Sequence, residues 1–223
     1  MRLLALAGVA FWLVLPANQA AQADGVDNYI KNQMEQHRIP GVALKVIQDG
    51  KTAKTVAYGL ANLELNVPVS PETVFEIGSI TKQFTAAGIL LLAQEGKLSV
   101  DDNISKYLSD TPEAWKNVTI RHLLTHTSGI KSYTGLDGFQ MWSPVRLNDG
   151  KTRNYGFGWS LGGVEGHKNI GHSGSTSGFS ASIQRFPNDK LAVIILTNTD
   201  EEIATTLARK IAGFYFKEPV AAK

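Results

Sequence analysis

The sequence predicts an α/β (α+β) fold in which one antiparallel sheet is flanked by N- and C-terminal helices. Apolar residues recur at helical spacing near both ends of the chain. A strand hairpin with an Asp49-Gly50 turn follows the first helix, and alternating strand patterns return after residue 170. This order favours a single sheet closed by both ends of the chain, with the terminal helices packed on one face.

The first 23 residues have the features of a secretory signal peptide. Arg2 precedes an apolar run from Leu3 to Pro16, and Ala21-Gln22-Ala23 provides an A-x-A cleavage site. The apolar run is too short to cross a bilayer comfortably. We therefore expect residues 1–23 to be removed, residues 24–223 to form a single domain, and the protein to be periplasmic or secreted.

Composition excludes several classes of function. Without Arg2 the chain carries 21 basic and 20 acidic residues, and the basic residues are scattered, so no nucleic-acid or acidic membrane partner is implied. There is no cysteine, which excludes disulfides, thiol catalysis and thiolate metal sites. No cofactor is predicted.

A helix and a hairpin are predicted for the first part of the domain. Val26, Ile30 and Met34 recur at helical spacing, and a Pro-Gly pair at residues 40 and 41 stops the pattern. Apolar and polar residues then alternate over 42–47, and a return strand follows over about 52–58.

Two further helices are predicted in the middle of the chain. The first begins at Ser79 and ends at Glu95, because Gly96 supplies a left-handed stop. Thr119 is placed to cap a second helix, which ends before Gly129. A loop rich in Gly, Ser and Asp then runs to about residue 154.

The C-terminal third returns to strands and closes with a helix. We expect an edge strand over 170–175, followed by strands over 179–186 and 191–197 that are joined by Pro187-Asn188-Asp189. The last helix is predicted from Glu201 to about residue 215.

Ser79 and Lys82 are the first candidate catalytic pair. Their spacing places a hydroxyl at a helix start and an amine one turn later on the same face. A lysine accepts a serine proton only where burial or other cations lower its ordinary pKa of ~10.4. Ser128 and Lys131 repeat the spacing, but Gly129 lies between them in a helix end or loop, so that pair is not held on one face.

A second candidate segment is Gly171-His172-Ser173-Gly174-Ser175, on a predicted strand. Its small residues allow a substrate backbone to lie close to the strand. If this strand lies beside the start of the helix, the amides of Ser79 and Ser175 are placed to hold the oxyanion of a tetrahedral acyl intermediate.

Four segments in this order resemble class C beta-lactamases and penicillin-binding proteins: Pro40 to Ala43, Phe75 to Lys82, His122 to Gly129 and His172 to Gly174. The resemblance runs from about residue 25 to residue 216. It implies a beta-lactamase/transpeptidase-like fold and a serine hydrolase that acts by acyl transfer through an acyl-serine. The implied substrates are a beta-lactam, a D-amino-acid peptide or a small ester.

The resemblance also implies roles for particular residues. Ser79 is similar to the family's nucleophile, Lys82 to its general base, and His172-Ser173-Gly174 to the Lys-Thr-Gly strand that binds a substrate carboxylate. Histidine in place of that lysine is a departure, since a histidine is mostly neutral at pH 7 and contacts an anion less strongly. Related esterases and peptidases therefore fit as well as beta-lactamases.

The Tyr-x-Asn motif of the family is absent from the expected place. Tyr133-Thr134-Gly135 is followed within a few residues by Met141 to Val145, which resembles sequence from well beyond the missing segment. We therefore expect a domain shortened around 139–141, with a reduced helical lobe. Tyr133 is a candidate proton relay, although a loop tyrosine is more often a surface residue. Tyr155 is expected to pack at the sheet edge.

Other classes of function fit the sequence less well. His122 and His126 share a helix face, but Leu123 stands where a zinc protease carries its glutamate, so no metal is expected. The Gly-x-Ser-x-Gly elbow of the α/β-hydrolases is also missing. The remaining alternative is a catalytically weak or inactive homologue that acts as a binding protein.

The predicted partner is a small-molecule or peptide substrate. The helix after Ser79 also carries an apolar stripe of Ile80, Phe84, Ala87 and Leu91, and the shortening removes part of its cover. Self-association through this exposed apolar surface is therefore a further expectation.

Overall fold

The computed structural model describes residues 17–130 and 154–216, with side chains from residue 25 onward. The helices of this part are α1 (Ala17–Gln36), α2 (Thr81–Gln94), α3 (Ile120–Leu124) and α4 (Ala204–Gly213). The strands are β1 (Gly41–Gln48), β2 (Lys51–Asn62), β3 (Val67–Pro68), β4 (Tyr155–Gly156), β5 (Trp159–Val164), β6 (His167–Thr176), β7 (Phe179–Phe186) and β8 (Leu191–Thr197). Short 3-10 turns cover Gly78–Ile80, Ile104–Lys106, Glu113–Trp115 and Pro187–Asp189.

The eight strands form one antiparallel sheet in the order β3-β2-β1-β8-β7-β6-β5-β4. Asp49 and Gly50 both have positive φ, at 50° and 74°, which is the geometry that joins β1 to β2 in a tight hairpin. Strand β1 pairs with β8, with Leu44 opposite Ile195. The predicted fold class and the meeting of the two chain ends in one sheet are therefore confirmed.

The main core lies between one face of the sheet and the two terminal helices. Every second residue of β1 and β8 points into it, because side chains alternate across a strand. The fully buried members from the helices are Val26 and Ile30 of α1 together with Leu207 and Ile211 of α4. The terminal helices thus cover one face, as predicted, and leave the opposite face free to carry α2.

The prediction that residues 170–175 form an edge strand is confirmed in part. Strand β6 lies between β7 and β5 in the sheet, but β5 pairs only with residues 167–171, so residues 172–176 pair with β7 alone. Strand β5 was not predicted because it contains Gly162 and Gly163 and is largely exposed, so it lacks the apolar alternation that identifies a strand. Its pairing with β6 depends on backbone hydrogen bonds rather than on buried side chains.

The helix that follows Ser79 differs in detail from the prediction. It opens with the 3-10 turn Gly78–Ile80 and continues as α2, and Gly96 has the expected left-handed conformation at φ 70°. The face that α2 buries carries Gln83 and Ala86. Of the predicted apolar stripe, Ile80 is buried, whereas Phe84 and Leu91 are 68% and 60% exposed.

A smaller cluster supports the region around α2 and α3. It contains Ile104, Val118 and Ile120, against which Ile89 and Leu124 pack. Helix α4 is shorter at both ends than the predicted element. Within residues 17–130 and 154–216, no helix is both long and apolar enough to cross a membrane.

Candidate active site

Ser79 and Lys82 lie at the junction between the 3-10 turn and α2. Lys82 Nζ is 2.7 Å from Ser79 Oγ and donates a hydrogen bond to it. One helical turn separates the two residues, so the backbone alone holds both side chains on the same face. The proximity predicted from their spacing is present in the structure.

Two glycines allow β6 to approach the 3-10 turn closely. A Cβ atom at Gly78 would lie 2.8 Å from the amide nitrogen of Ser175, and Gly78 also has positive φ. A Cβ at Gly174 would lie 2.0 Å from the carbonyl oxygen of Ile77 and 3.0 Å from the amide nitrogen of Ser79. The backbone around Ser79 and the backbone of Ser175 therefore face each other in a contact that any larger residue would push apart.

The register of β6 directs the amide of Ser175 toward this contact. Thr176 pairs with Phe179 across a two-residue turn, and Ser175 pairs with Ser180. Residues of an antiparallel pair alternate between hydrogen-bonded and non-hydrogen-bonded positions. The amide of Ser175 thus points away from β7. On that side β6 has no partner strand at Ser175, because its pairing with β5 ends at Ser160 and Gly171.

The side chains of β6 are divided between the two faces of the sheet. Gly174 faces the 3-10 turn, and His172, two residues earlier, shares that face. A Cβ at Gly171 would instead meet the side chain of Gln184 on the face covered by α4. Ser173 and Ser175 point the same way as Gly171, so only their backbone groups face the candidate site.

His172 makes two hydrogen bonds through its ring. Its Nδ1 is 2.5 Å from the carbonyl oxygen of Ser173, and its Nε2 is 2.9 Å from the hydroxyl of Tyr155. Tyr155 lies at the edge of the sheet on β4, as predicted. Its contact with His172 does not follow from the sequence, because the aromatic and glycine pattern of residues 154–159 is equally consistent with simple packing at the sheet edge.

His126 lies beside this pair. Its ring centroid is 5.2 Å from that of Tyr155, and its φ of 57° turns the chain out of α3. Burial lowers the pKa of His126, and the nearby Lys82 and His172 side chains lower it further. Burial also raises the pKa of the Tyr155 hydroxyl. The candidate site therefore brings four side chains close to one another: Lys82, His126, Tyr155 and His172.

The turn between β4 and β5 is fixed to the start of α2. Gln83 Nε2 donates to the carbonyl oxygen of Gly158 at 2.7 Å, in a buried hydrogen bond. A Cβ at Gly158 would lie 3.1 Å from the amide nitrogen of Gln83, and its φ is 81°. This contact sets the distance between the edge of the sheet that carries Tyr155 and the helix that carries Lys82.

The other residues considered from the sequence have different positions. His122 Nδ1 accepts a hydrogen bond from the amide of Thr119 and completes a capping box at α3, so the histidine has a structural role. Ser128 Oγ accepts from the amide of Ile130 at 3.3 Å. No group of three side chains suited to bind a metal occurs in the residues that the structure describes. Tyr133 and residues 139–141 lie outside them.

A helix start that carries Ser-x-x-Lys, packed beside a strand of one antiparallel sheet, defines the superfamily of serine beta-lactamases and penicillin-binding proteins. A family model described as Beta-lactamase matches residues 26–143 and 137–214. The chain belongs to the beta-lactamase family. The resemblance inferred from its motifs is thus confirmed.

Two curated proteins are similar to part of this chain. "Protein flp" of Staphylococcus aureus (strain N315) is 34% identical over 128 residues, which cover 56% of this chain and 26% of that protein. A "Beta-lactamase" of Providencia stuartii is 37% identical over 113 residues, which cover 50% of this chain and 29% of that protein. The chain thus spans less than a third of these curated relatives.

Among solved structures, a class C beta-lactamase in complex with cefoxitin superposes with a TM-score of 0.72 at 18% identity. The match covers 88% of this chain and 99% of that chain. At this level of identity the superposition establishes a shared fold.

Proposed function

We propose that the chain is a serine hydrolase that acts by acyl transfer through an acyl-Ser79 intermediate. The observation that carries this proposal is the 2.7 Å distance between Lys82 Nζ and Ser79 Oγ. A serine hydroxyl becomes a useful nucleophile when a neighbouring base takes its proton, and Lys82 is positioned for that role. Membership of the beta-lactamase family supports the same chemistry.

The reaction follows from these positions. Ser79 Oγ attacks the acyl carbon while its proton moves to Lys82 Nζ, a step that requires an unprotonated amine. The bond to the leaving group then breaks, and the proton passes from Lys82 to the leaving group. The amides of Ser79 and Ser175 meet where β6 contacts the 3-10 turn and are proposed to stabilise the oxyanion. Water then hydrolyses the acyl-Ser79 ester and restores the free hydroxyl.

The proposed substrate is a beta-lactam, a D-amino-acid peptide or a small ester. The similarity to proteins described as beta-lactamases supports the first of these. The small ester is supported by His172, which stands in place of the family's lysine, because an imidazole binds a carboxylate less strongly than an ammonium group does.

A binding protein with weak turnover is the second candidate function. The family match falls into two segments that meet at residues 137–143, which supports a chain shortened around 139–141. Phe84 and Leu91 of α2 are exposed, in keeping with a reduced helical lobe over the site. A site with less cover admits water, and water weakens the electrostatic contacts on which acyl transfer depends.

We also propose that the chain is exported and that it associates with itself. Arg2, the apolar run that follows it and the A-x-A sequence at 21–23 support a signal peptide and a periplasmic or secreted protein. The exposed apolar side chains of α2 support association of the chain with itself.

The deciding experiment is intact mass spectrometry after incubation with a labelled penicillin and, separately, with a 4-nitrophenyl ester. We expect an acyl adduct on Ser79 in the wild type and none in Ser79→Ala, together with a loss of ester hydrolysis of at least about 1,000-fold. Ser128→Ala, which alters the other Ser-x-x-Lys sequence, is the matched control and should react normally. Undiminished hydrolysis by Ser79→Ala would contradict the proposal, and no reaction with either reagent would favour the binding protein.

A further inference from the structure

A side-chain hydrogen bond joins the segment before Ser79 to the end of β6. Thr176 Oγ1 donates to Glu76 Oε2 at 2.9 Å, and the two residues are 100 positions apart in the sequence. Thr176 follows Ser175 directly and shares a face of β6 with Gly174, the residue that contacts the backbone around Ser79. The hydrogen bond therefore lies beside the contact between the backbones of Ser79 and Ser175.

The end of β6 has a partner strand on one side only. Among the described strands, β7 pairs with residues 170–176, whereas β5 pairs with residues 167–171. The amide of Ser175 points to the side that has no partner strand. Because no ladder of backbone hydrogen bonds holds that side, the distance between the amides of Ser175 and Ser79 depends on contacts with the segment before Ser79.

Two contacts anchor the groups on either side of this hydrogen bond. The turn after β6 is tied to the end of β8, where Asp200 Oδ1 accepts a hydrogen bond from the amide of Gly178 at 2.6 Å. Phe75 is buried and packs edge-on against Phe179 of β7, with 6.3 Å between the ring centroids. Because Glu76 follows Phe75 directly, its side chain is held within reach of β6 and spans the side that has no partner strand.

Small displacements of the Ser175 amide matter for the proposed chemistry. Donors to an oxyanion act at about 2.7 to 3.1 Å from the developing charge, and a misplacement of about 1 Å can cost about 100-fold in rate. Ser79 supplies its amide from the same segment as the nucleophile, whereas the Ser175 amide comes from a distant part of the chain. The second donor therefore needs a separate contact that fixes its distance.

We propose that Glu76 is a positioning residue for the oxyanion contacts, because its hydrogen bond with Thr176 sets the separation between the amides of Ser79 and Ser175. The inference rests on the proposed acyl transfer through Ser79 and adds to it a residue outside the reacting groups. Glu76 is exposed and contributes no core volume, so its removal should affect the transition state far more than the stability of the fold.

The first test compares kcat/KM for a 4-nitrophenyl ester with the affinity for phenylboronic acid, which forms a tetrahedral adduct with a serine and needs the same amides. In Glu76→Ala we expect both to fall about 10-fold to 100-fold, with urea unfolding close to that of the wild type. Glu76→Gln keeps an acceptor for Thr176 and should retain kcat/KM to within about threefold. Glu113→Ala removes another exposed carboxyl group, bonded to Lys116, and should change neither quantity.

A double-variant cycle tests whether Glu76 acts through Thr176. Thr176→Val removes the donor with little change of volume, so it should lose as much activity as Glu76→Ala. The double variant should lose no more than either single variant, because both changes break one hydrogen bond. Losses that multiply in the double variant, or a fall in kcat/KM without a fall in boronate affinity, would overturn the proposal.

A second measurement does not depend on turnover. Amide hydrogen exchange of the uniformly labelled full chain reports how often the end of β6 opens. We expect the amides of Gly174 and Thr176, which face β7, to exchange about tenfold faster in Glu76→Ala than in the wild type, and at the wild-type rate in Glu113→Ala. Equal exchange in Glu76→Ala and the wild type would refute the positioning role even where Ser79→Ala abolishes ester hydrolysis. Failure of the Glu76–Thr176 contact is therefore distinguished from failure of the hydrolase.

Discussion

At the scale of single residues, the proposed chemistry depends on the amine of Lys82. The side chain is exposed and contributes no core volume, so Lys82→Ala should leave the unfolding free energy close to that of the wild type. The loss of the proton acceptor should lower kcat by about 100-fold to 10,000-fold. Steady-state hydrolysis of a nitrophenyl ester, together with urea unfolding, measures both quantities.

The matched control for this prediction is Lys116→Ala. Lys116 is an exposed lysine paired with Glu113 on the surface, and its removal should change neither kcat nor stability appreciably. Normal acylation of Ser79 in the Lys82→Ala variant at neutral pH would assign the base to another group.

At the scale of elements, the contact between β6 and the 3-10 turn is the first to test. In Gly174→Ala the added methyl group would lie 2.0 Å from the carbonyl oxygen of Ile77, so the strand must move away from Ser79. We expect kcat/KM to fall by at least about 100-fold, which is the cost of losing one oxyanion contact. Gly162→Ala on the neighbouring β5 meets no atom within 4 Å and is the control. Equal activity of the two variants would show that this contact does not position the amides.

The second contact to test at this scale is the one that attaches α1 to β2. Asp27 of α1 accepts a hydrogen bond from Tyr58 at 2.7 Å and pairs with Lys54, both on β2. Burial raises the pKa of the Asp27 carboxyl, but the hydrogen bonds from Lys54 and Tyr58 outweigh it, so the pKa lies below its usual range. Asp27→Asn should therefore lower the unfolding free energy at pH 7, by about 1 to 3 kcal/mol.

The pH dependence of this effect has a definite sign. A carboxylate with a lower pKa in the folded state stabilises the protein above its unfolded pKa, and this contribution is lost as the pH falls through the folded pKa. The difference between the wild type and Asp27→Asn should thus be full at pH 7 and shrink below about pH 4. Urea unfolding across this range measures it, and a difference that grows on acidification would contradict the assignment.

At the scale of the whole molecule, the exposed side chains of α2 predict self-association. Phe84 and Leu91 are 68% and 60% exposed on one helix, and apolar surface of this kind favours contact between copies of the chain. We expect sedimentation velocity to show association that weakens in a Phe84→Gln, Leu91→Gln double variant. Leu65→Gln changes a 75% exposed leucine in a turn after β2 and should have no effect. A monomer at all concentrations would refute this prediction.

The same exposure predicts a preference among substrates. A site with one wall reduced should react better with a small nitrophenyl ester than with a cephalosporin, which needs both walls to be held in place. Comparison of kcat/KM for the two compounds tests this. A clean monomer with the higher kcat/KM on the cephalosporin would show a closed and competent pocket, contrary to the expectation.

Several features followed from the sequence because neighbouring residues encode them. Asp49-Gly50 specifies a tight hairpin by its own backbone preferences, and Thr119 caps α3 through residues within one turn. Ser79 and Lys82 meet because three residues along a helix return to the same face. The family could also be inferred, since its motifs are short and occur in a fixed order.

Other features could be identified only from the tertiary structure. They involve contacts between distant parts of the chain, and no local sequence pattern predicts those contacts. Strand β5 has an exposed, glycine-containing sequence, so only its pairing with β6 reveals it, and that pairing covers residues 167–171 of β6. Tyr155 meets His172 because the register of β4, β5 and β6 brings the two side chains together. Residues that are close in sequence fix the local geometry of the candidate nucleophile, whereas the long-range register of the strands brings together the groups that surround it.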